Sequence, residues 1–324
     1  MTELSYREAI CAALAEEMDR DPSVVLLGED IAPGGVFNVT PGLLERFGQE
    51  RVIDTPISEM AFTSAAVGAA TQGLRPVIEI MFGDFLGLAL DSLANQATKY
   101  WFVSNGQASV PIVVRTAVGG GGRFGPFHSQ TPTGWLLGLP GLKVAAPSTP
   151  EDAKLLTRAA IRDENPVVVF EHKLLYSDRG PVADDAGGDG AFGGATHRRR
   201  GGDVTLVAAL AATRWALEAA DQLAEAGIDA EVIDLRVLRP LDIETVATSA
   251  DQTGRLLVIE EGPPMGGYSA EVVSSVAEQV GPVNVRRVTM PDLPLPFSPP
   301  LEDWALPGAE RIAAAAKSLV AETP

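Results

Sequence analysis

Four short runs constrain this chain more than anything else in it: VVLLG (24–28), VIEIMF (77–82), PIVVRTA (111–117) and PVVVF (166–170). A strand with one wetted face alternates apolar and polar residues. These runs hardly alternate, so both faces of each strand have to be covered. The stretches between them supply the cover. Ser5 can cap a helix in which Ile10, Leu14 and Met18 recur at helical spacing. Residues 60–72 are small and uncharged, 85–104 read as one long helix, and 150–164 form another after Thr149. Strand and helix in alternation give an α/β domain around a mostly parallel sheet.

The rhythm stops at 177–202, a stretch rich in Gly, Asp and Arg, and restarts with DVTLVAAL (203–210). Two open, mostly parallel-sheet α/β domains are therefore expected, 1–176 and 203–324, joined by a Gly/Asp-rich linker. The run HRRR (197–200) in that linker reads as a solvated edge. The chain of 324 residues carries 25 Lys and Arg against 43 Asp and Glu, a formal charge of −18, which argues against nucleic acid and anionic membrane surfaces as partners. Cys11 is the one cysteine and sits in a helical pattern, so it reads as a packing residue. No apolar run reaches the length of a membrane span, and the expected location is cytoplasmic.

Three places carry candidate chemistry. The loop VGGGGRFGPFHSQ (118–130) has five glycines and ends near His128, after a strand that should finish at the ligand-binding edge of the sheet. It is either a site loop or a mobile surface loop. In DTPISEMAF (54–62), Glu59 opens a helix too apolar for an exposed surface. It is either a first-turn charge favoured by the helix dipole or a catalytic acid. Phe82 and Phe85 lie at the same sheet edge, where aromatics stack on heterocycles or simply pack. Asp91 reads as a structural hydrogen-bonding group. GDG at 188–190 is treated as spacer, because it follows no strand and no asparagine occurs between Asn165 and Asn284. Phosphate-loop, dinucleotide and zinc patterns are absent.

Taken in order, GED (28–30), RVIDTPISE (51–59), GLRPVIEIMFGDF (73–85), NQATKY (95–100), HSQ (128–130), PEDAKLL (150–156), IRDENPVVVFEHKLLY (161–176), DLRVLRPLD (234–242) and PFSPPLED (296–303) resemble the beta subunit of the thiamine-dependent 2-oxo acid dehydrogenases. The resemblance covers nearly the whole chain. It implies a pyrimidine-binding domain over 1–176 and a transketolase-type C-terminal domain over 203–324. It implies that Glu59 contacts the aminopyrimidine of thiamine diphosphate and favours the tautomer that takes the thiazolium proton. Phe85 and Met81 would hold the cofactor's ring, and His128 would steady the reaction or help pass the acyl group to a lipoyl arm. A potassium ion would sit on Ile112, Ala160, Asp163 and Asn165. In thiamine enzymes a Gly-Asp-Gly followed by a later asparagine pair marks the Mg2+-diphosphate site. Its absence here implies, by the resemblance, an alpha subunit that supplies Mg2+ and the diphosphate half of the site, in an alpha2beta2 heterotetramer, with a lipoyl acyltransferase core as acceptor. Leu88 departs from the glutamine common in pyruvate-type relatives. EHKLLY and MFGDF look closer to acetoin-cleaving ones. Pyruvate, acetoin and branched-chain 2-oxo acids all remain open as substrates.

Overall fold

The structure is a computed structural model that describes residues 1–183 and 192–322. Two compact units result. One contains Met1–Val118 and Gly138–Phe192, the other Gly119–Leu137 and Gly193–Pro324. The division thus differs from a single cut at the linker, because the glycine loop and the residues after it group with the second unit. The Gly-Asp-Gly tripeptide lies outside the described residues.

In the first unit six strands form a parallel sheet in the order Lys143–Ala145, Val167–His172, Val113–Val118, Arg75–Ile80, Val24–Gly28 and Val52–Asp54. The runs singled out by their apolarity are its central strands, buried on both faces as expected. Helix Tyr6–Arg20 starts with a capping box, in which the Ser5 hydroxyl accepts from Glu8 N and Glu8 reaches back to Ser5 N. It packs on helix Pro150–Arg162, where Glu17, 1 % exposed, receives the Arg162 guanidinium at 2.6 Å.

The expected linker contains two strands among its described residues. Arg179–Val182 pairs antiparallel with Thr2–Ser5, a short strand with no clear sequence signal. The expected long helix is not uniform: a 3-10 turn at Gly83–Phe85 leads into Leu86–Asp91, a π-helical stretch Ser92–Ala97, and Thr98–Val103. Asp91 accepts from the Asn95 side chain at 2.7 Å, the structural bond expected of it.

The second unit is a five-stranded sheet. Asn284–Thr289, Arg255–Glu260, Val204–Ala208 and Ala230–Asp234 run parallel, and Thr196–Arg199 closes one edge antiparallel. The HRRR run forms much of that edge strand. Arg198 pairs with Asp234 at 2.8 Å and Arg199 with Asp221 at 2.8 Å. Alanine-rich helices Ala211–Glu225 and Ala309–Ala321 pack on this sheet through small side chains. No helix among the described residues is long and apolar enough to cross a membrane.

Candidate active site

The carboxyl ends of three neighbouring strands of the first unit build the site, as an open parallel sheet would place it. Val24–Gly28 ends at Glu29, Val52–Asp54 leads through a short loop to Glu59, and Arg75–Ile80 leads to Met81 and Phe85. Gly28 is required for this approach: a Cβ there would lie 2.9 Å from the Glu79 carbonyl oxygen. Two bonds then tie the strand ends together. Thr55 N donates to Gly28 O at 2.9 Å, and Ala32 N donates to the Asp54 carboxylate at 2.8 Å. Asp30 takes a left-handed conformation (φ 53°), turning the chain immediately after Glu29.

Glu59 is the first residue of helix Glu59–Ala70 and is 5 % exposed. That position is favourable for a carboxylate, but Ser58 makes no side-chain cap and no hydrogen bond among the described residues reaches the Glu59 side chain. Glu29, 8 % exposed, has a buried Oε1 without a partner. Burial pushes the Glu29 carboxyl above the usual range, and the charges of Glu59 and Asp30 push the same way. A buried carboxylate oxygen without a partner, next to a second buried carboxyl whose charge it feels, is costly in a folded chain. Such an arrangement makes this a candidate place for another polar group to bind. Phe85 and Met81, both half-buried, stand at the end of the adjacent strand, with Phe85 edge-on to Phe82 at 5.7 Å.

Glu29 was not singled out from sequence. Its only signal was two acids directly after an apolar strand. Leu88 is 54 % exposed on the following helix. Of the residues expected around potassium, Ile112 O accepts from Val167 N, Ala160 O from Asp163 N, and Asp163 O from the Arg75 guanidinium at 3.1 Å. The Asp163 side chain accepts from Asn165 at 2.9 Å and pairs with Lys143.

His128 belongs to the second unit. The loop that carries it is anchored there. Gly120 N donates to Glu261 and Gly121 N to Glu302 at 2.8 Å, while Arg123 pairs with Glu302 at 2.6 Å. Thr133 donates to Glu260 at 2.8 Å, and Glu260 also accepts from Tyr268 N and Ser269 N at the start of a helix. Backbone N–H groups bonded to buried carboxylates make this a built loop, and His128 at its end is half-buried.

Comparison with known proteins places both units. Residues 2–179 match the family described as transketolase, pyrimidine binding domain, and residues 193–312 match transketolase, C-terminal domain. A solved structure titled "Split gene transketolase, inactive beta4 tetramer" superposes with a TM-score of 0.81 at 26 % identity, covering 98 % of each chain. The architecture is therefore that of a transketolase-type subunit. The beta subunit of an acetoin:2,6-dichlorophenolindophenol oxidoreductase from Cupriavidus necator is 45 % identical, covering 97 % of this chain and 96 % of the relative. A mitochondrial pyruvate dehydrogenase E1 component subunit beta-1 from Arabidopsis thaliana is 44 % identical over 97 % and 89 %. A 2-oxoisovalerate dehydrogenase subunit beta from Bacillus subtilis is 40 % identical over 98 % and 99 %. The chain belongs to the E1 beta subunits of the thiamine-diphosphate-dependent pyruvate, acetoin and branched-chain 2-oxo acid dehydrogenases.

Proposed function

We propose that this chain supplies the pyrimidine half of a thiamine diphosphate site in a pyruvate-type 2-oxo acid dehydrogenase, with an alpha subunit supplying Mg2+ and the diphosphate half. The observation that supports this most directly is the buried Glu29 carboxyl, whose Oε1 has no partner and which feels the charge of the buried Glu59, with the half-buried Phe85 at the end of the adjacent strand. An aminopyrimidine offers what these side chains lack, a ring nitrogen and an amino group to bond a carboxyl and a flat face for an aromatic ring. Bound thiamine diphosphate would supply the electron sink that decarboxylation of a 2-oxo acid requires.

The chain's own residues then divide the work. Glu59 holds a proton at the pyrimidine ring nitrogen and can return it. Glu29, whose carboxyl is pushed above the usual range by burial and by the neighbouring charges, is the less ready of the two to ionise and leaves that task to Glu59. Phe85 and Met81 hold the ring face, which fixes the direction in which Glu59 must point. His128 is assigned to acyl transfer towards a lipoyl group on an acyltransferase core, since an imidazole can both give and take a proton near neutral pH. A potassium ion on Ile112, Ala160, Asp163 and Asn165 would use second lone pairs and share the Asp163 carbonyl with Arg75. A higher Tm in potassium chloride than in choline chloride supports that site, and equal values remove it. With one cysteine and no disulfide, a reducing cytoplasmic compartment suits the chain.

Acetoin cleavage is the second reading, favoured by EHKLLY, MFGDF and Leu88, which leaves an exposed apolar side chain at the site's edge. Tagging the chain in its own cell, isolating the complex and assaying dye reduction with pyruvate, acetoin and 2-oxoisovalerate tests both. Pyruvate turnover dependent on thiamine diphosphate supports the first reading, acetoin turnover alone the second. A complex inert to all three overturns both.

A further inference from the structure

The core of the first unit holds a charged cluster to which the reaction gives no role. Arg115, 2 % exposed, lies on a central strand and binds Glu171 with two bonds, Nε–Oε1 at 2.7 Å and Nη2–Oε2 at 2.8 Å. Its Nη1 reaches Glu79 Oε2 at 2.9 Å from the neighbouring strand on the other side. The Tyr176 hydroxyl donates to Glu171 Oε2 at 2.9 Å. From Tyr176 a ladder of rings runs outward. Phe37 stacks on Tyr176 at 5.1 Å, Phe82 meets Phe37 edge-on at 5.5 Å, and Phe85 meets Phe82 edge-on at 5.7 Å. The ladder ends at the residue assigned to the pyrimidine face.

We propose that the Glu79–Arg115–Glu171 cluster, acting through Tyr176, Phe37 and Phe82, sets where Phe85 stands against the cofactor's pyrimidine, so that Glu79 and Tyr176 are positioning residues for cofactor binding. The proposal rests on the reading of Phe85 given above. Ring packing is close and directional, so a shift at one end of the ladder is passed on rather than absorbed. Only a fixed base makes such a ladder useful, and a fork of bonds from a buried guanidinium supplies one.

Charge balance gives the cluster a signature. Two carboxylates face one guanidinium in a place water hardly reaches, and the arrangement is neutral only when one of them carries a proton. Burial pushes the Glu79 carboxyl up; the Arg115 charge works against it and the Glu171 charge with it. Among the described residues two further cations pack nearby, Arg7 over the Tyr176 ring at 5.8 Å and Lys173 over the Phe82 ring at 5.3 Å, but both lie against the ladder and neither makes an ion pair with Glu79 or Glu171. Tyr176 is itself pushed up by burial, and the Cys11 thiol on helix Tyr6–Arg20 is also raised by burial. On the loop above Glu79, Gly35 and Thr40 carry no charge; a Cβ on Gly35 would lie 3.1 Å from Glu79 Oε1. Raising the pH through the ionisation of Glu79 therefore sets two anions against one cation and loosens the base of the ladder.

The test is thiamine diphosphate binding by the isolated native complex with Mg2+, measured calorimetrically from pH 6 to 9, together with the Tm of the cofactor-free complex. In the unsubstituted complex affinity is expected to fall several-fold towards the alkaline end. Glu79→Gln, which copies the neutral acid and cannot ionise, is expected to bind with an affinity that no longer falls. Tyr176→Phe keeps the ring and loses only the bond to Glu171. It is expected to weaken binding about fivefold at every pH, with the cofactor-free Tm little changed. The same alkaline fall in Glu79→Gln as in the unsubstituted complex, or unaltered affinity in Tyr176→Phe, would overturn the proposal alone. No binding by the unsubstituted complex at any pH would overturn the cofactor reading and this proposal with it.

Discussion

Glu59 and Glu29 are thirty residues apart and meet because two parallel strands end side by side. Sequence reading could find the first, since a lone acid ahead of an apolar helix is conspicuous, but could not choose between a helix-start charge and an acid. The structure shows the first role and supports the second, because a helix-start charge needs no burial. Glu29 left only a faint signal, for a different reason: its significance is the missing partner of its Oε1, which only three dimensions reveal. Replacing Glu59 with Gln is expected to lower kcat of the native complex by about 10²- to 10⁴-fold, the range for loss of a proton-transferring group. Subunit assembly, read by size-exclusion chromatography, should be unchanged. For Glu29 stability and function should move in opposite directions. Its folded-state pKa is raised, so its ionisation costs stability as pH climbs from the unfolded value through the folded one. Glu29→Gln is therefore expected to raise Tm at pH 8 by a few degrees, with a smaller gain at pH 5, while turnover drops. Equal Tm for both forms at pH 8 would show that the buried carboxyl costs nothing.

At the scale of elements, the central strands and most helices were legible because burial on both faces writes itself as unbroken apolarity. The departures have local causes. The long helix from 85 changes pitch at Ser92–Ala97, and a π turn leaves no mark in hydrophobic spacing. Thr2–Ser5 and Arg179–Val182 pair at the margin of the fold, where neither strand has an apolar face to show. Helix Tyr6–Arg20 illustrates what the pattern conceals. Burial would raise the Glu17 carboxyl, but the bonds from Arg162 and Arg20 outweigh it and hold Glu17 below the ordinary range. Its stabilising contribution is present above the unfolded carboxylate pKa and disappears as pH falls through the lower folded value. Glu17→Gln is expected to lower Tm at pH 7 and to lose that deficit in strong acid, which a thermal titration from pH 7 to pH 3 would read. A constant deficit would mean that packing rather than charge accounts for the loss. Helix Glu59–Ala70 poses a separate problem. It carries no charge after Glu59, yet Met60, Ala61, Ser64, Ala65 and Gly68 are exposed, and a Cβ on Gly68 would meet nothing within 4 Å. Gly68→Ala is expected to stabilise the isolated chain by about 0.5–1 kcal/mol, measured by urea unfolding. A loss of stability there would mean that the open space is filled in solution.

The whole molecule makes sense only as a part. A chain with a formal charge of −18 can hold the diphosphate of a cofactor only with a metal ion or a set of backbone donors to offset it. Among the described residues no group of three or more His, Cys, Asp or Glu could hold a metal, and the one Gly-Asp-Gly has no asparagine pair after it. The site proposed above offers a pyrimidine side, and the phosphate side is expected from the alpha subunit. The relatives are named as beta subunits, and the transketolase neighbour in its beta4 form is titled inactive. The isolated chain is therefore expected to bind thiamine diphosphate and Mg2+ at least a hundredfold more weakly than the native complex, a difference of roughly 2.7 kcal/mol. Titration calorimetry on the chain alone and on the complex measures it directly. Tight binding by the chain alone would mean that the phosphate half is built here after all and that a homo-oligomer is the working enzyme. Weak binding restored by one copurifying chain would assign that half to the alpha subunit.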